Sequence, residues 1–221
     1  MPINEAAYQG IIVELQPQHV TLVAVSKTKP VSDIETLYSL GHRDFGENYV
    51  QEFIEKVPQL PKDINWHFIG HLQSNKVKYI APFVYLVHGV DSFKLLQEIN
   101  KQALKNSRII NCLLQVHIAD EATKFGFDEH ELDGAMHQLQ GLDNVNIVGL
   151  MGMASFSDDV AKVANEFKKL KALFDKYAKQ RTGNSQLATL SMGMSGDYKL
   201  AIAQGSNMVR IGSLLFGTRN G

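Results

Sequence analysis

Two lysines follow the first apolar segment of the chain, in Val20-Thr-Leu-Val-Ala-Val-Ser-Lys-Thr-Lys-Pro30. The run Val20–Val25 has the length and composition of a buried β-strand, so Lys27 and Lys29 stand at its C-terminal end. A lysine in a desolvated or cationic setting loses its proton more readily and can form a Schiff base with a carbonyl compound. Pro30 closes the segment, which predicts Lys29 at the rim of any site and Lys27 nearer its mouth. Taken alone, however, the segment fits two solvated lysines at least as well as a reactive one.

A second segment is rich in glycine and serine, Ser191-Met-Gly-Met-Ser-Gly-Asp197, and precedes a helical pattern that stops at Gly205. Free backbone N–H groups and the positive end of the dipole at such a helix start attract anions. The segment follows the seventh strand-like run, and phosphate sites of (β/α)8 barrels commonly lie after strands seven and eight. The pattern therefore indicates a phosphate site, with an ordinary capped turn as the alternative.

Arg210 lies within the apolar run Met208-Val-Arg-Ile-Gly-Ser213. Arginine is rarely buried without an acceptor, so an inward-facing Arg210 needs either a carboxylate, in a structural ion pair, or an atom of a ligand. Gly212 and Ser213 could complete the phosphate site, because glycine permits a close approach of the backbone to a ligand.

Polar residues also follow other strand-like runs. Phe45-Gly-Glu-Asn-Tyr-Val-Gln51 carries Asn48 and could reach a ligand. His67 and His71 are four residues apart, but the glutamate of a zinc-binding helix is missing between them and they lie across a strand end, so we expect no metal site. Lys124 follows the fifth run, where it could face the mouth; an exposed loop lysine is the simpler interpretation.

The elements that must position these residues alternate along the chain. Strand-like runs occur at Val20–Val25, Arg43–Phe45, Asn65–Ile69, Phe83–Gly89, Ile109–Ile118, Val145–Met153, Gln186–Ser191 and Asn207–Leu215. Helical patterns separate them, the clearest at Asp158–Lys179, with Ser157 or Asp158 as its cap, and another covers residues 3–16. Eight strands alternating with helices predict an α/β fold, a (β/α)8 barrel with an extra N-terminal helix. An open doubly wound sheet is the alternative, but no Gly-x-Gly-x-x-Gly follows the first strand.

Composition narrows the class of protein. A length of 221 residues suits one domain over residues 1–221. With 22 basic and 23 acidic side chains, the net charge of −1 predicts no attraction to nucleic acid or membrane. The sequence shows neither a signal peptide nor a stretch long and apolar enough to cross a bilayer. A single cysteine, Cys112, rules out an intramolecular disulfide and suits the cytoplasm. No apolar seam suggests a subunit interface, so we expect a monomer.

Together these segments resemble the pyridoxal phosphate homeostasis proteins, also described as proline-synthetase-associated, whose fold is the alanine-racemase-like barrel. The resemblance spans nearly the whole chain. It is carried by Ala24-Val-Ser-Lys-Thr-Lys-Pro30, Phe45-Gly-Glu-Asn-Tyr-Val-Gln-Glu52, Trp66-His-Phe-Ile-Gly-His-Leu-Gln-Ser-Asn-Lys76, Ser191-Met-Gly-Met-Ser-Gly-Asp197 and Val209-Arg-Ile-Gly-Ser-Leu-Leu-Phe-Gly217.

The resemblance implies a role for each candidate residue. In that family the first lysine of Ser-Lys-Thr-Lys carries pyridoxal 5′-phosphate (PLP) as a Schiff base, which implies Lys27. The serine-rich loop and the Arg-Ile-Gly segment hold the phosphate, which implies Ser191, Met192, Ser195, Gly212 and Ser213. Arg210 is expected to face the pyridine nitrogen, and Asn48 and His71 to lie near the ring. Lys124 is expected to serve cofactor exchange.

The resemblance also implies what such a site does. An arginine opposite the pyridine nitrogen keeps that nitrogen unprotonated and makes the ring a weaker electron sink. Alanine racemase adds a tyrosine from a further β-domain, whereas this sequence continues only eight residues beyond Ser213, so we expect no such domain. The leading hypothesis is a protein that carries or buffers PLP for intracellular PLP and amino-acid homeostasis, with apo PLP-dependent enzymes as recipients. The alternatives are a small PLP-dependent amino-acid racemase or lyase, and a phosphate-ligand-binding barrel without Schiff-base chemistry.

Overall fold

The computed structural model describes residues 3–119, 125–180 and 185–217. Within them strands and helices alternate. The strands are β1 Thr21–Val25, β2 Asp44–Glu47, β3 Asn65–Phe68, β4 Leu86–Val90, β5 Ile110–Val116, β6 Val145–Gly152, β7 Ser185–Met194 and β8 Met208–Ile211. The helices are α1 Glu5–Leu15, α2 Val31–Ser39, α3 Val50–Lys56, α4 Val77–Ile80, α5 Phe93–Lys105, α6 Glu129–His137, α7 Val160–Ala178, α8 Tyr198–Ala203 and α9 Ser213–Phe216.

The eight strands form one closed, parallel barrel in sequence order. β1 pairs with β2 through Ala24 and Phe45, and it pairs on its other side with β8, where Val23 lies opposite Arg210. Because the first and last strands hydrogen-bond to each other, the sheet has no edge. The prediction of a (β/α)8 barrel with an extra N-terminal helix is confirmed, and the open doubly wound sheet is excluded.

Alternate residues of each strand face the helices and the barrel interior, as the pleat of a strand requires. The larger hydrophobic core lies between the barrel and the helices; Leu22 and Ala24 of β1 belong to it. A smaller apolar cluster fills part of the interior and consists of Val23, Leu86, Leu113, Met151 and Met208. Polar side chains occupy the rest of that interior, and they matter for the site described below.

Several element boundaries differ from the sequence prediction, and two of the differences have a clear physical reason. β8 ends at Ile211, and the apolar residues after Gly212 turn into α9 instead of extending the strand to Leu215. An apolar run alone does not distinguish a strand from a short helix. The carbonyl of Leu215 accepts a hydrogen bond from the N–H of Asn4 at 2.9 Å, which ties α9 to the start of α1.

The start of α7 is the second difference. Asp159 caps it, because its Oδ1 accepts from the N–H of Lys162 at 3.0 Å. Ser157, two residues before the cap, instead accepts a hydrogen bond from the N–H of Asp159. The three neighbouring residues Ser157, Asp158 and Asp159 all suit an N-cap, so composition alone does not select among them.

None of the helices in the described part of the chain combines the length and the apolar character that a bilayer crossing requires. Cys112 lies in β5, fully buried, and burial raises the pKa of its thiol.

Candidate functional site

A cavity of about 860 Å³ lies at the end of the barrel where the C-terminal ends of the strands meet. Its volume falls within the range of small-molecule sites, roughly 300–1,000 Å³. Predicted site residues that line it are Lys27, Asn48, Ser195, Arg210, Gly212 and Ser213. Apolar side chains such as Val25, Ile69, Met153 and Val163 form part of the wall. The barrel thus gathers six of the ten candidates from strands that are distant in sequence.

Lys27 lies in a tight turn directly after β1. The N–H of Lys29 donates to the carbonyl of Ser26 at 3.0 Å and closes the turn. Within it Thr28 has a φ of 62°, a left-handed conformation that costs a β-branched residue on the order of 1–3 kcal/mol. Lys29 points elsewhere, with its Nζ donating to the carbonyl of Phe216 at 2.8 Å. Of the two lysines, Lys27 therefore faces the cavity.

Buried and partly buried charged groups of β2 and α3 hold this turn. Lys56 Nζ donates to the carbonyl of Ser26 at 2.9 Å and to carboxylate oxygens of Glu47 and Glu52 at 2.9 and 2.8 Å. Ser26 Oγ donates to Glu47 at 2.7 Å, and the N–H of Thr28 donates to Glu52 at 2.7 Å. Burial raises the pKa of Glu47, although the neighbouring Lys56 lowers it in part. We call Glu47, Glu52 and Lys56 the turn clamp.

Asn48 follows β2 and lines the cavity. Its Oδ1 is buried and has no hydrogen-bond partner within the described residues. Gly70, after β3, approaches the same residue so closely that a Cβ would lie 2.3 Å from the Asn48 carbonyl oxygen. Only glycine permits this backbone approach. Asn48 is thus firmly positioned and still offers an unsatisfied amide to whatever enters the cavity.

Arg210 is 4% exposed. Its Nη1 donates to Ser191 Oγ at 2.6 Å and its Nη2 to the carbonyl of Gly152 at 3.1 Å. Burial lowers the pKa of Arg210 to about 10, and the charge of Asp197 opposes this shift. The guanidinium therefore remains a cation at neutral pH. Instead of the structural ion pair considered above, its hydrogen bonds in the described chain go to a hydroxyl and a carbonyl.

The loops after β7 and β8 meet at the cavity. The N–H of Gly212 donates to Ser195 Oγ at 3.2 Å, which links the two loops directly. Asp197 fixes the first loop, because its Oδ1 accepts from the N–H of Met194 at 2.6 Å. Ser213 begins α9 beside Gly212 and lines the cavity. These hydroxyl and backbone groups are of the kinds that bind anions, and they lie together in one part of the cavity wall.

Ser191 and Met192, to which the resemblance gives a role at the phosphate, are not among the residues that line the cavity. Met192 packs into the core between barrel and helices, and its N–H and C=O face Ser206. Ser191 is fully buried in the barrel interior, where it accepts from Arg210. Both positions follow from the pleat of β7, which points neighbouring side chains to opposite faces of the sheet. Ser191 therefore faces the barrel interior and Met192 faces the helices.

Ser191 belongs to a line of hydrogen bonds that sequence reasoning missed. Ser191 Oγ lies 3.2 Å from His88 Nδ1, and His88 Nε2 lies 2.9 Å from His67 Nδ1. His67 Nε2 in turn lies 3.0 Å from Asp44 Oδ1. We call Arg210, Ser191, His88, His67 and Asp44 the interior chain. The available signal was a histidine within the otherwise apolar strand Leu86–Val90.

Comparison with known proteins places the chain. Residues 10–220 match the alanine racemase N-terminal domain family. A pyridoxal phosphate homeostasis protein of Haemophilus influenzae is 41% identical over 204 residues, 91% of this chain and 86% of that protein. The chain belongs to the pyridoxal phosphate homeostasis protein family. A member from Synechocystis is 39% identical over 98% of this chain and 99% of its own length.

A solved structure that is similar over nearly the whole chain has the same fold. PipY of Synechococcus elongatus, determined with PLP bound, superimposes with a TM-score of 0.87 at 35% sequence identity. The superposition covers 96% of this chain and 99% of PipY.

His71, which the family resemblance singles out, is not among the residues that line the cavity. His71 is exposed, its Nδ1 lies 2.9 Å from Asp91 Oδ2, and its ring stacks on Phe125 at 4.1 Å. Lys124 lies outside the described residues. His67 and His71 have separate partners, and the described ranges contain no group of three or more His, Cys, Asp or Glu arranged to hold a metal.

Proposed function

We propose that this chain binds PLP at the barrel mouth, as a Schiff base on Lys27, and carries or buffers it for PLP and amino-acid homeostasis. The observation that carries the proposal is the cavity itself. It unites a lysine amine, an unsatisfied buried amide, a buried guanidinium and two linked serine- and glycine-containing loops. These are the groups needed for an aromatic aldehyde that bears a phosphate. The membership of the family and the PLP-bound relative support the same ligand.

The unsatisfied amide gives the sharpest test of chemical fit. A buried polar atom without a partner costs about 1–3 kcal/mol, so such atoms normally have one in the working protein. The Asn48 side chain can present either its oxygen or its NH₂ group to a polar substituent of the ring. Ser195, Gly212 and Ser213 would hold the phosphate, and Arg210 would face the pyridine nitrogen.

Arg210 also favours carriage over catalysis. When bound, PLP supplies an electrophilic carbon and an electron-withdrawing ring. A guanidinium has only donors, so it leaves the pyridine nitrogen unprotonated and weakens that withdrawal. A carrier needs the covalent link to Lys27 but not strong stabilisation of a carbanion.

We further propose a single-domain, monomeric, cytoplasmic protein that hands PLP to apo PLP-dependent enzymes, with neither nucleic acid nor membrane as a partner. In this scheme Lys124 would serve cofactor exchange. His71, with Asp91 and Phe125, would lie at the rim that the cofactor passes, since it does not line the cavity.

Borohydride reduction of PLP-loaded protein, followed by peptide mapping, tests cofactor and residue together. We expect the label on Lys27 and its loss in Lys27→Ala. Lys29→Ala is the matched control, since it removes a lysine two residues away whose Nζ is bound to Phe216, and it should retain the label. A reducible adduct that persists in Lys27→Ala would move the assignment to Lys29 or Lys124.

A turnover screen over amino acids with chiral detection separates the carrier from the racemase or lyase. We expect no turnover at ordinary enzyme rates. Rapid racemisation or elimination by the pure, loaded protein would replace the carrier with an enzyme.

A further inference from the structure

The interior chain crosses the barrel from the cavity to the opposite end. Arg210 lines the cavity, whereas Asp44 begins β2 at the N-terminal end of the barrel, where its side chain is 26% exposed. Between them Ser191, His88 and His67 are fully buried. Four hydrogen bonds of 2.6, 3.2, 2.9 and 3.0 Å join the five residues without a gap.

If both histidines are neutral, the two ends fix the direction of every hydrogen bond. A guanidinium only donates and a carboxylate only accepts. Arg210 therefore donates to Ser191, whose single proton is then available for His88 Nδ1. His88 must carry its proton on Nε2 and donate to His67 Nδ1, and His67 donates from Nε2 to Asp44. The two neutral histidines then have the same tautomer.

Reversing the hydrogen bond between His67 and His88 carries an electrostatic cost. If His67 Nδ1 donated to His88, His67 would need a second proton to keep its hydrogen bond to Asp44. A second cation would then be buried on the line that already holds Arg210. The surrounding apolar cluster strengthens such repulsion, because charges interact more strongly in a low-dielectric interior.

We propose that Ser191, His88, His67 and Asp44 are positioning residues that aim Arg210 at the cavity and couple its charge to a carboxylate at the far end of the barrel. The role of Arg210 toward the bound ring rests on the proposed function; the directed line of hydrogen bonds does not. The electrostatics that a ligand meets at the mouth therefore depend on the charge of Asp44.

Other charged and titratable groups act on the two ends. At the far end Asn65 donates to Asp44 Oδ1 at 3.2 Å, and His42 Nε2 lies 2.8 Å from the Asp44 carbonyl. Burial alone would raise the pKa of Asp44, but the hydrogen bond from His67, the attraction of His67 when protonated and the hydrogen bond from Asn65 together outweigh it and lower that pKa. Arg43 lies near His42, and the ring of Tyr85 packs against His67 at 5.5 Å between centroids. The charged residues that line the mouth, besides Arg210, are Lys27, Asp158, Asp197 and Lys199.

The first test needs no cofactor. Long-range ¹H–¹⁵N NMR on histidine-labelled, unaltered protein reads which ring nitrogen carries the proton, with His67→Gln and His88→Gln used only for assignment. We expect both histidines to be neutral, with the proton on Nε2, at pH 7. A proton on His88 Nδ1, or a doubly protonated His67, would overturn the directed chain.

The second test measures coupling across the barrel in PLP-loaded protein. Asp44→Asn keeps an acceptor oxygen but removes the charge, so the site becomes more positive and any proton-binding step seen in the cofactor absorbance should move to lower pH. Asp63→Asn is the control, because Asp63 is an exposed carboxylate near the same end, bonded to Tyr38 and Arg43. We expect Asp63→Asn to leave the pH midpoint of the absorbance titration unchanged.

Ser191→Ala decides whether the coupling runs through the chain. In that background Asp44→Asn should no longer move the absorbance titration, and Ser191→Thr, which keeps a hydroxyl, should restore the shift. An equal shift with and without the hydroxyl would mean that the charge acts through space, and the relay would be rejected. If Ser191→Ala does not fold, the NMR result on unaltered protein decides alone. Absence of PLP binding to the unaltered protein would refute the proposed function, while the NMR result would still judge the chain.

Discussion

The backbone N–H of Thr28 donates to the carboxylate of Glu52 across 2.7 Å. This contact joins the turn after β1 to the first turn of α3, and it holds Thr28 in a conformation that a threonine rarely adopts. Because Lys27 directly precedes Thr28, the same contact sets the direction in which the lysine leaves the barrel wall. The turn clamp is therefore part of how the site is built, although none of its members lines the cavity.

Removing the Glu52 carboxylate should loosen the lysine turn. Glu52→Ala deletes charge-assisted hydrogen bonds to Thr28 and Lys56, so we expect a loss of about 2 kcal/mol in unfolding free energy and slower Schiff-base formation with PLP. Urea denaturation and the rate of absorbance change on PLP addition measure the two effects. Glu55→Ala, an exposed position on the same helix, is the control. Equal PLP kinetics in both variants would separate the clamp from the reactivity of Lys27.

Gly70 should tolerate no side chain. A Cβ there would meet the Asn48 carbonyl oxygen at 2.3 Å, so Gly70→Ala must push β2 and β3 apart at the cavity wall. We expect a lower melting temperature and a higher dissociation constant for PLP. Gly196→Ala is matched, because Gly196 also lines the cavity but has no atom within 4 Å of a built Cβ. If both substitutions had the same effect, the close approach would not be the cause.

Stability should fall as the pH drops from 7 to 5. Burial lowers the pKa of His42 and moves the pKa of His88 well below its usual value. The folded protein keeps both rings neutral while the unfolded chain protonates them near pH 6.5, so stability present above that pH is lost below it. Each histidine contributes a slope of at most about 1.4 kcal/mol per pH unit, at pH values between its folded and its unfolded pKa.

Chemical denaturation across this pH range checks the slope. His42→Phe, which keeps a ring between Tyr8 and Phe45, should remove one proton's share of it. His137→Gln, on an exposed side chain of α6, should leave the slope unchanged. An unaltered slope in His42→Phe would show that other groups govern the acid response.

Cys112 should be inert in the folded protein. Its thiol is fully buried in β5, and burial raises its pKa, so little reactive thiolate forms at neutral pH. We expect a thiol reagent to modify less than a tenth as fast in buffer as in denaturant, measured by mass spectrometry. Comparable rates would indicate frequent opening of the barrel.

The local sequence pattern predicted the barrel fold but only some of the residues at its functional site. Strand-length apolar runs identify elements such as β1 and β5 because burial dictates their composition, and the order of the elements then dictates the closed sheet. The boundary between β8 and α9 depends on a change of backbone conformation at Gly212. The continuous apolar run around it gives no sign of that change. The role of Ser191 could not be read from its segment, because its partner His88 is 103 residues away and lies inside the barrel.

The glycines at positions 70 and 89 also limit how the mouth of the barrel can change shape. Gly70 abuts the backbone of Asn48, and a Cβ on Gly89 would lie 2.6 Å from the Gly70 carbonyl oxygen, so three strand ends meet main chain to main chain. The facing wall, after β6 and β7, presents the exposed side chains of Phe156 and Met194. Side chains of that kind change rotamer within nanoseconds, whereas abutting backbones do not part without breaking the barrel. The mouth of the barrel thus has one side fixed by backbone contacts and a facing side whose width can change by side-chain rotation alone.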